Sequence, residues 1–150
     1  MKALFISILI VLSGALFMSA GVRERAALSS NPTFMNSVNR IASLHSTFNN
    51  MGDAQFTAEW EAITGSIREL KENYPDLNNP ATANTSISYS IDNLLVNNKT
   101  IIHGDTCLRD FIKAVFSCFS SCGVGPRETV KACVAEACAN YQACKAGNNR

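Results

Sequence analysis

Six cysteines carry the clearest chemistry in this 150-residue chain: Cys107, Cys118, Cys122, Cys133, Cys138 and Cys144, all in its final third. Thiols at such spacings can pair as disulfides, bind zinc as thiolates, or supply a nucleophile beside a histidine. An even set in an oxidising compartment favours the first, because pairing leaves no thiolate for the other two. The residues before them decide the compartment. Lys2 is followed by an apolar run from Ala3 to Phe17, then by the small residues of Met18-Ser19-Ala20-Gly21. That pattern predicts a secretory signal peptide over residues 1–21, cut after Ala20 or Gly21, and a secreted, extracellular protein.

The cysteines need helices to position them. Asp105 or Thr106 can cap a helix whose apolar residues Leu108, Phe111, Ile112, Val115, Phe116 and Phe119 recur at helical spacing. Gly123-Val124-Gly125-Pro126 breaks the chain, and Pro126 suits the first turn of a second helix carrying Val130, Val134, Ala137 and Tyr141, ended by Gly147. At about 100° per residue, Cys107, Cys118 and Cys122 fall within about 60° of one another. Cys133 and Cys144 lie close together on the second helix, and Cys138 sits at the other edge of its stripe. All six point into a helical hairpin.

In an antiparallel hairpin, bridged residues have nearly constant summed numbers. The nested set Cys107–Cys144, Cys118–Cys138, Cys122–Cys133 holds that sum to within about five residues and is the pairing expected here. A competing pair, Cys118–Cys133, matches Cys107–Cys144 without slip but leaves Cys122 and Cys138 about two turns out of step. Each bridge contributes about 2–4 kcal/mol, chiefly by restricting the unfolded chain.

Cys118-x3-Cys122 followed by Cys133-x4-Cys138 is similar to the doubled Cys-x3-Cys pattern of plant α-hairpinin defence peptides. Cys107-x10-Cys118 with Cys133-x10-Cys144 resembles the twin Cys-x9-Cys hairpins of the mitochondrial intermembrane space. One spacing differs by a residue in the first case and both do in the second, which a secretory leader also contradicts. Both resemblances express the shared physics of stapled helix pairs rather than kinship.

Upstream, Asn31-Pro32 opens a helix with Phe34, Val38, Ile41, Leu44, Phe48 and Met51 on one face. Gly52-Asp53 interrupts it. Phe56, Trp60, Ile63, Ile67 and Leu70 mark a second helix that ends at Tyr74-Pro75, and the short break predicts an antiparallel pair. Residues 75–104 are rich in loop formers and read as a linker with a short helix near Ile91–Val96. The resulting layout is all-α. It comprises a leader (1–21), an amphipathic helix pair (22–74), a linker (75–104) and a disulfide-stapled hairpin (105–150). The two helical parts stand apart or pack as one bundle.

Little else suggests catalysis. His45 flanks the first apolar stripe, and His103 lies near Asp105. Both read as ordinary helix and loop residues, no cofactor or metal is expected, and the chain is read as a non-enzymatic binding protein. Net charge is +1, which removes any case for nucleic acid. No second long apolar stretch predicts stable membrane insertion. Arg109, Lys113, Arg127 and Lys131 give the hairpin a modest positive bias and are the expected contacts for an extracellular protein or receptor. Phe111, Phe116 and Phe119 read as core packing, with a lipid pocket as the alternative; Phe116, the outlier of its stripe, is the best candidate among them for an exposed contact. The first two helices offer a homodimer face. Asn84-Thr85-Ser86 and Asn98-Lys99-Thr100 are candidate glycosylation sites at Asn84 and Asn98. Two further readings remain open: a precursor of a cysteine-rich toxin-like or hormone-like peptide, and a small apolar-ligand carrier.

Overall fold

Asn31 opens the first helix by accepting a hydrogen bond from the Phe34 amide at 3.1 Å, with Pro32 behind it in the first turn. A computed structural model of the chain describes residues 28–97, 105–121 and 126–148. The leader, Asn98, Ile101-Ile102, His103 and Cys122 lie outside the described residues. Among the described residues the fold is all-α, with five helices: α1 (Pro32–Thr47), α2 (Asp53–Asn73), α3 (Pro80–Asn97), α4 (Thr106–Ser121) and α5 (Arg127–Asn148). None of them is long and apolar enough to cross a membrane.

The first pair forms as its spacing requires. Phe34, Val38, Ile41 and Leu44 of α1 and Phe56, Ile63, Ile67 and Leu70 of α2 are buried, with Trp60 partly so. Gly52, in extended geometry, precedes α2, and its amide donates to the Gln55 side chain. Polar contacts confirm the antiparallel register. Asn31 Nδ2 donates to the Tyr74 hydroxyl at 3.3 Å, Thr33 to Glu69 at 3.0 Å, and Arg40 pairs with Glu59 at 3.0 Å.

The short helix expected near Ile91–Val96 is the end of a longer one: residues 80–97, expected mostly as linker, form α3. Its loop-forming residues are the machinery of a helix start. Asn79 accepts from the Ala81 amide at 3.1 Å, Pro80 begins the helix, and the Thr82 hydroxyl donates back to the Asp76 carbonyl at 2.7 Å. The buried stripe of α3 is Ala83, Ser86, Ile87, Ser90 and Ile91. Two serines and an alanine hide the helical period from a search for apolar residues. They also let α3 lie close against α4.

Helix α4 is the hub. It packs against each of the other four helices, most extensively against α5. Asp105 caps it, accepting from the Leu108 amide at 3.1 Å, and Cys107, Phe111, Ile112, Val115, Phe116, Cys118 and Phe119 are all buried along it. Phe116 follows the core reading rather than the exposed one: it is 1% exposed and its ring lies tilted against Phe34 of α1, with centroids 5.6 Å apart. It leaves the α4 stripe because α4 is covered on more than one side. One continuous core joins all five helices, so the α1 face offered for a homodimer is spent within the chain. The last helix continues past Gly147 to Asn148.

Replacing Phe116 by alanine removes an enclosed aromatic and should destabilise the protein by about 3–5 kcal/mol. Urea denaturation measures this; a change within about 0.5 kcal/mol would return Phe116 to the surface.

Candidate functional site

The stapled hairpin of α4 and α5 is where the chain's distinctive chemistry lies. Cys107 of the first α4 turn is linked to Cys144 near the end of α5, with Cα atoms 5.7 Å apart. Cys118, near the other end of α4, is linked to Cys133, with Cα atoms 5.8 Å apart. Both separations suit a disulfide. The outer bridge is the expected one. The inner bridge corrects the nested set: Cys118 pairs with Cys133, not Cys138, so Cys133 is not available to Cys122. The reason is register. Both bridges preserve one antiparallel alignment without slip, whereas drawing Cys138 to Cys118 would slide α5 by about 7.5 Å against a linked Cys107–Cys144.

Cys138 is left as a free thiol, 4% exposed and part of the core. Burial pushes its pKa up, which keeps it protonated and inert. Nothing in the cysteine spacing alone distinguished it from its neighbours. What did separate it was its place at the opposite edge of the α5 stripe.

The four cations expected to meet a partner are half-exposed and already engaged. Lys113 donates to Asp92 of α3 at 2.9 Å, and Arg109 lies 3.4 Å from Asp110 and 4.0 Å from Asp92. Arg127 pairs with Glu128 and reaches the Thr57 hydroxyl of α2, while Lys131 pairs with Asp53 of α2 and lies over the Phe56 ring at 5.8 Å. Lys131's hydrogen bond holds the Asp53 carboxyl below the usual range. These side chains tie the hairpin to α2 and α3 before they are free to meet anything else.

A third tie sits beside the outer bridge. Lys145 Nζ donates to Asp105 at 3.1 Å. Burial pushes the Asp105 carboxyl up, but the Leu108 and Cys107 amides and the Lys145 ammonium outweigh it and hold its pKa below the ordinary value. Asp105 thus serves as helix cap and as ion-pair partner, which the sequence shows only in the first role. His45, also half-buried, stands in an aromatic corner with Tyr141 at 5.0 Å and Phe111 at 6.2 Å.

Among the described residues two open grooves stand out. One of about 530 Å³ lies between α1 and α2, lined by Ser43, Ser46, Thr47, Asn50, Gln55 and Glu59 among others. The other, about 160 Å³, lies between α3 and α4 beside Asn84. Asn84 is exposed, on a helix rather than in the predicted loop. Among the described residues no three His, Cys, Asp or Glu side chains converge as a metal ion would require.

Removing the inner bridge by Cys118→Ala with Cys133→Ala should lower stability by about 3 kcal/mol, and removing the outer one by about 4 kcal/mol, because the longer loop gains more entropy when opened. Denaturant titration of both variants checks the order. The Asp105 carboxylate gives a pH signature. Its folded pKa is depressed, so its contribution is present above the unfolded value of about 4 and is lost as pH falls below it. Asp105→Asn keeps the cap and deletes the charge. It should flatten the stability curve below about pH 4 by up to about 1 kcal/mol, since the pair is partly exposed; an unchanged acid limb would refute the assignment.

No family model, no curated protein and no solved structure matches this chain.

Proposed function

We propose that this chain is a secreted, non-enzymatic protein that acts by binding an extracellular protein partner. The observation that carries the reading is the pair of disulfides clamping both ends of one helical hairpin, downstream of an apolar leader. Such bonds persist outside the cytosol. A hairpin held this way loses little conformational freedom when a partner docks on it, which favours binding. The partner surface is the outer side of the hairpin, with Arg109, Lys113, Arg127 and Lys131 along its rim. Each of these keeps part of its side chain in solvent while paired within the chain. At a rim, such charges steer association more than they add affinity.

The processed-peptide reading is weaker. Phe34 and Phe116 share one core, so releasing the cysteine-rich end would expose the apolar sides of α4. The carrier reading is weaker too, since Phe111, Phe116 and Phe119 fill the interior and the larger groove is open to solvent rather than enclosed.

Expression in a eukaryotic cell line behind the chain's own leader tests both halves of the proposal. Intact mature chain in the medium, starting near residue 21 and carrying both bridges, is the expected product. Labelled protein should then bind cell surfaces or matrix saturably, and reduction of its disulfides should abolish that binding. Retention in the cytosol refutes export, and non-saturable uptake by lipid alone refutes protein binding.

A further inference from the structure

Asn84 and Ser86 are the two ends of one acceptor motif, yet the fold sends them in different directions. Asn84 is exposed on α3, while Ser86 is 8% exposed and belongs to the buried stripe facing the core. A helix turns about 100° per residue, so side chains two positions apart point about 200° from each other. Glycan transfer to the sequon needs the asparagine carboxamide and the hydroxyl two residues on to be presented together to one enzyme. A wound α3 cannot offer both.

The outer side, by contrast, can hold a large adduct. Asn84 stands at the rim of the open groove formed with Ser88 of its own helix and with Lys113, Ser117 and Ser120 of α4. A sugar attached there meets polar side chains and solvent and displaces nothing in the core.

We infer that Asn84 is an N-glycosylation acceptor that is modified only before α3 winds, and that folding then closes the motif while leaving the glycan over the α3–α4 groove. This rests on the secretory reading above. In the transfer, Asn84 Nδ2 attacks C1 of a polyprenyl-diphosphate-linked oligosaccharide. The C1–O bond breaks, its electron pair leaves on the lipid diphosphate, a C1–N bond forms, and the amide gives up one proton. No oxidation or reduction occurs.

The test separates this inference from the fate of the chain's own leader. The full chain, carrying Asn98→Gln to leave one acceptor, is translated into eukaryotic microsomes behind a signal peptide of established function. Peptide mass mapping with and without enzymatic deglycosylation reads Asn84. The expected result is a glycan at Asn84, absent from Asn84→Gln and from Ser86→Ala, which keeps the acceptor amide and a helix-favouring residue. In a second arm, the unglycosylated protein, folded with both bridges formed, is incubated with solubilised transferase and lipid-linked donor. It should accept more than about tenfold less glycan than the same chain reduced and carboxymethylated, because local opening of α3 limits access. An unmodified Asn84 in translocated chains overturns the site, and equal transfer to folded and unfolded chains overturns the timing.

Discussion

Helix α4 has to be covered on several sides at once. Its buried residues span more of its circumference than one neighbour can shield, and each of the other four helices takes part of the task. Phe116 meets α1, Phe111 meets Tyr141 of α5 at 5.6 Å, and α3 closes a further side with its small residues. A helix this apolar is not stable alone in water, and it becomes stable only when its neighbours arrive. The two disulfides act on one of those neighbours. They keep α5 in place whether or not the rest of the bundle is assembled. The contacts of α1, α2 and α3 rest on packing and on polar pairs at its rim, without a covalent link.

Electrostatics follows the same plan at lower strength. Lys113 with Asp92, Lys131 with Asp53 and Lys145 with Asp105 each join two different elements at the rim of the core. Pairs with this exposure are individually weak. Their value lies in register: each is satisfied in one alignment of the helices and lost when one of them slides by a turn. The positive bias of the hairpin, visible when its residues are considered alone, is largely answered by carboxylates elsewhere in the chain.

Four of the five helices were legible because their apolar residues recur with the period of an α-helix, and because Asn31, Asp105 and the proline-bearing starts announce where helices begin. Of helix α3 only the end, near Ile91–Val96, was legible. Its inward positions are filled by Ser86, Ser90 and Ala83, so burial there is set by closeness to α4 rather than by hydrophobicity, and Asn79-Pro80 serves a helix start as well as it would serve a turn. The outer bridge followed from antiparallel geometry. The inner one did not, because the even count favoured three bridges over strict register, and register prevailed. Phe116 stood out from its stripe for a related reason: a one-sided stripe has no place for a helix surrounded by others.

The enclosed sulfhydryl of Cys138 bears on how the molecule reaches its final state. It follows Cys133 closely in sequence, and an unfolded chain would treat the two as interchangeable rivals for Cys118. Exchange between them needs an ionised sulfur with a clear approach to the bond it attacks. Once the interior closes, Cys138 has neither, so this thiol leaves the exchange when the apolar core forms. For Cys138 the closing of the core is itself the stop signal, and a link it made wrongly before closure would be preserved as faithfully as the correct arrangement.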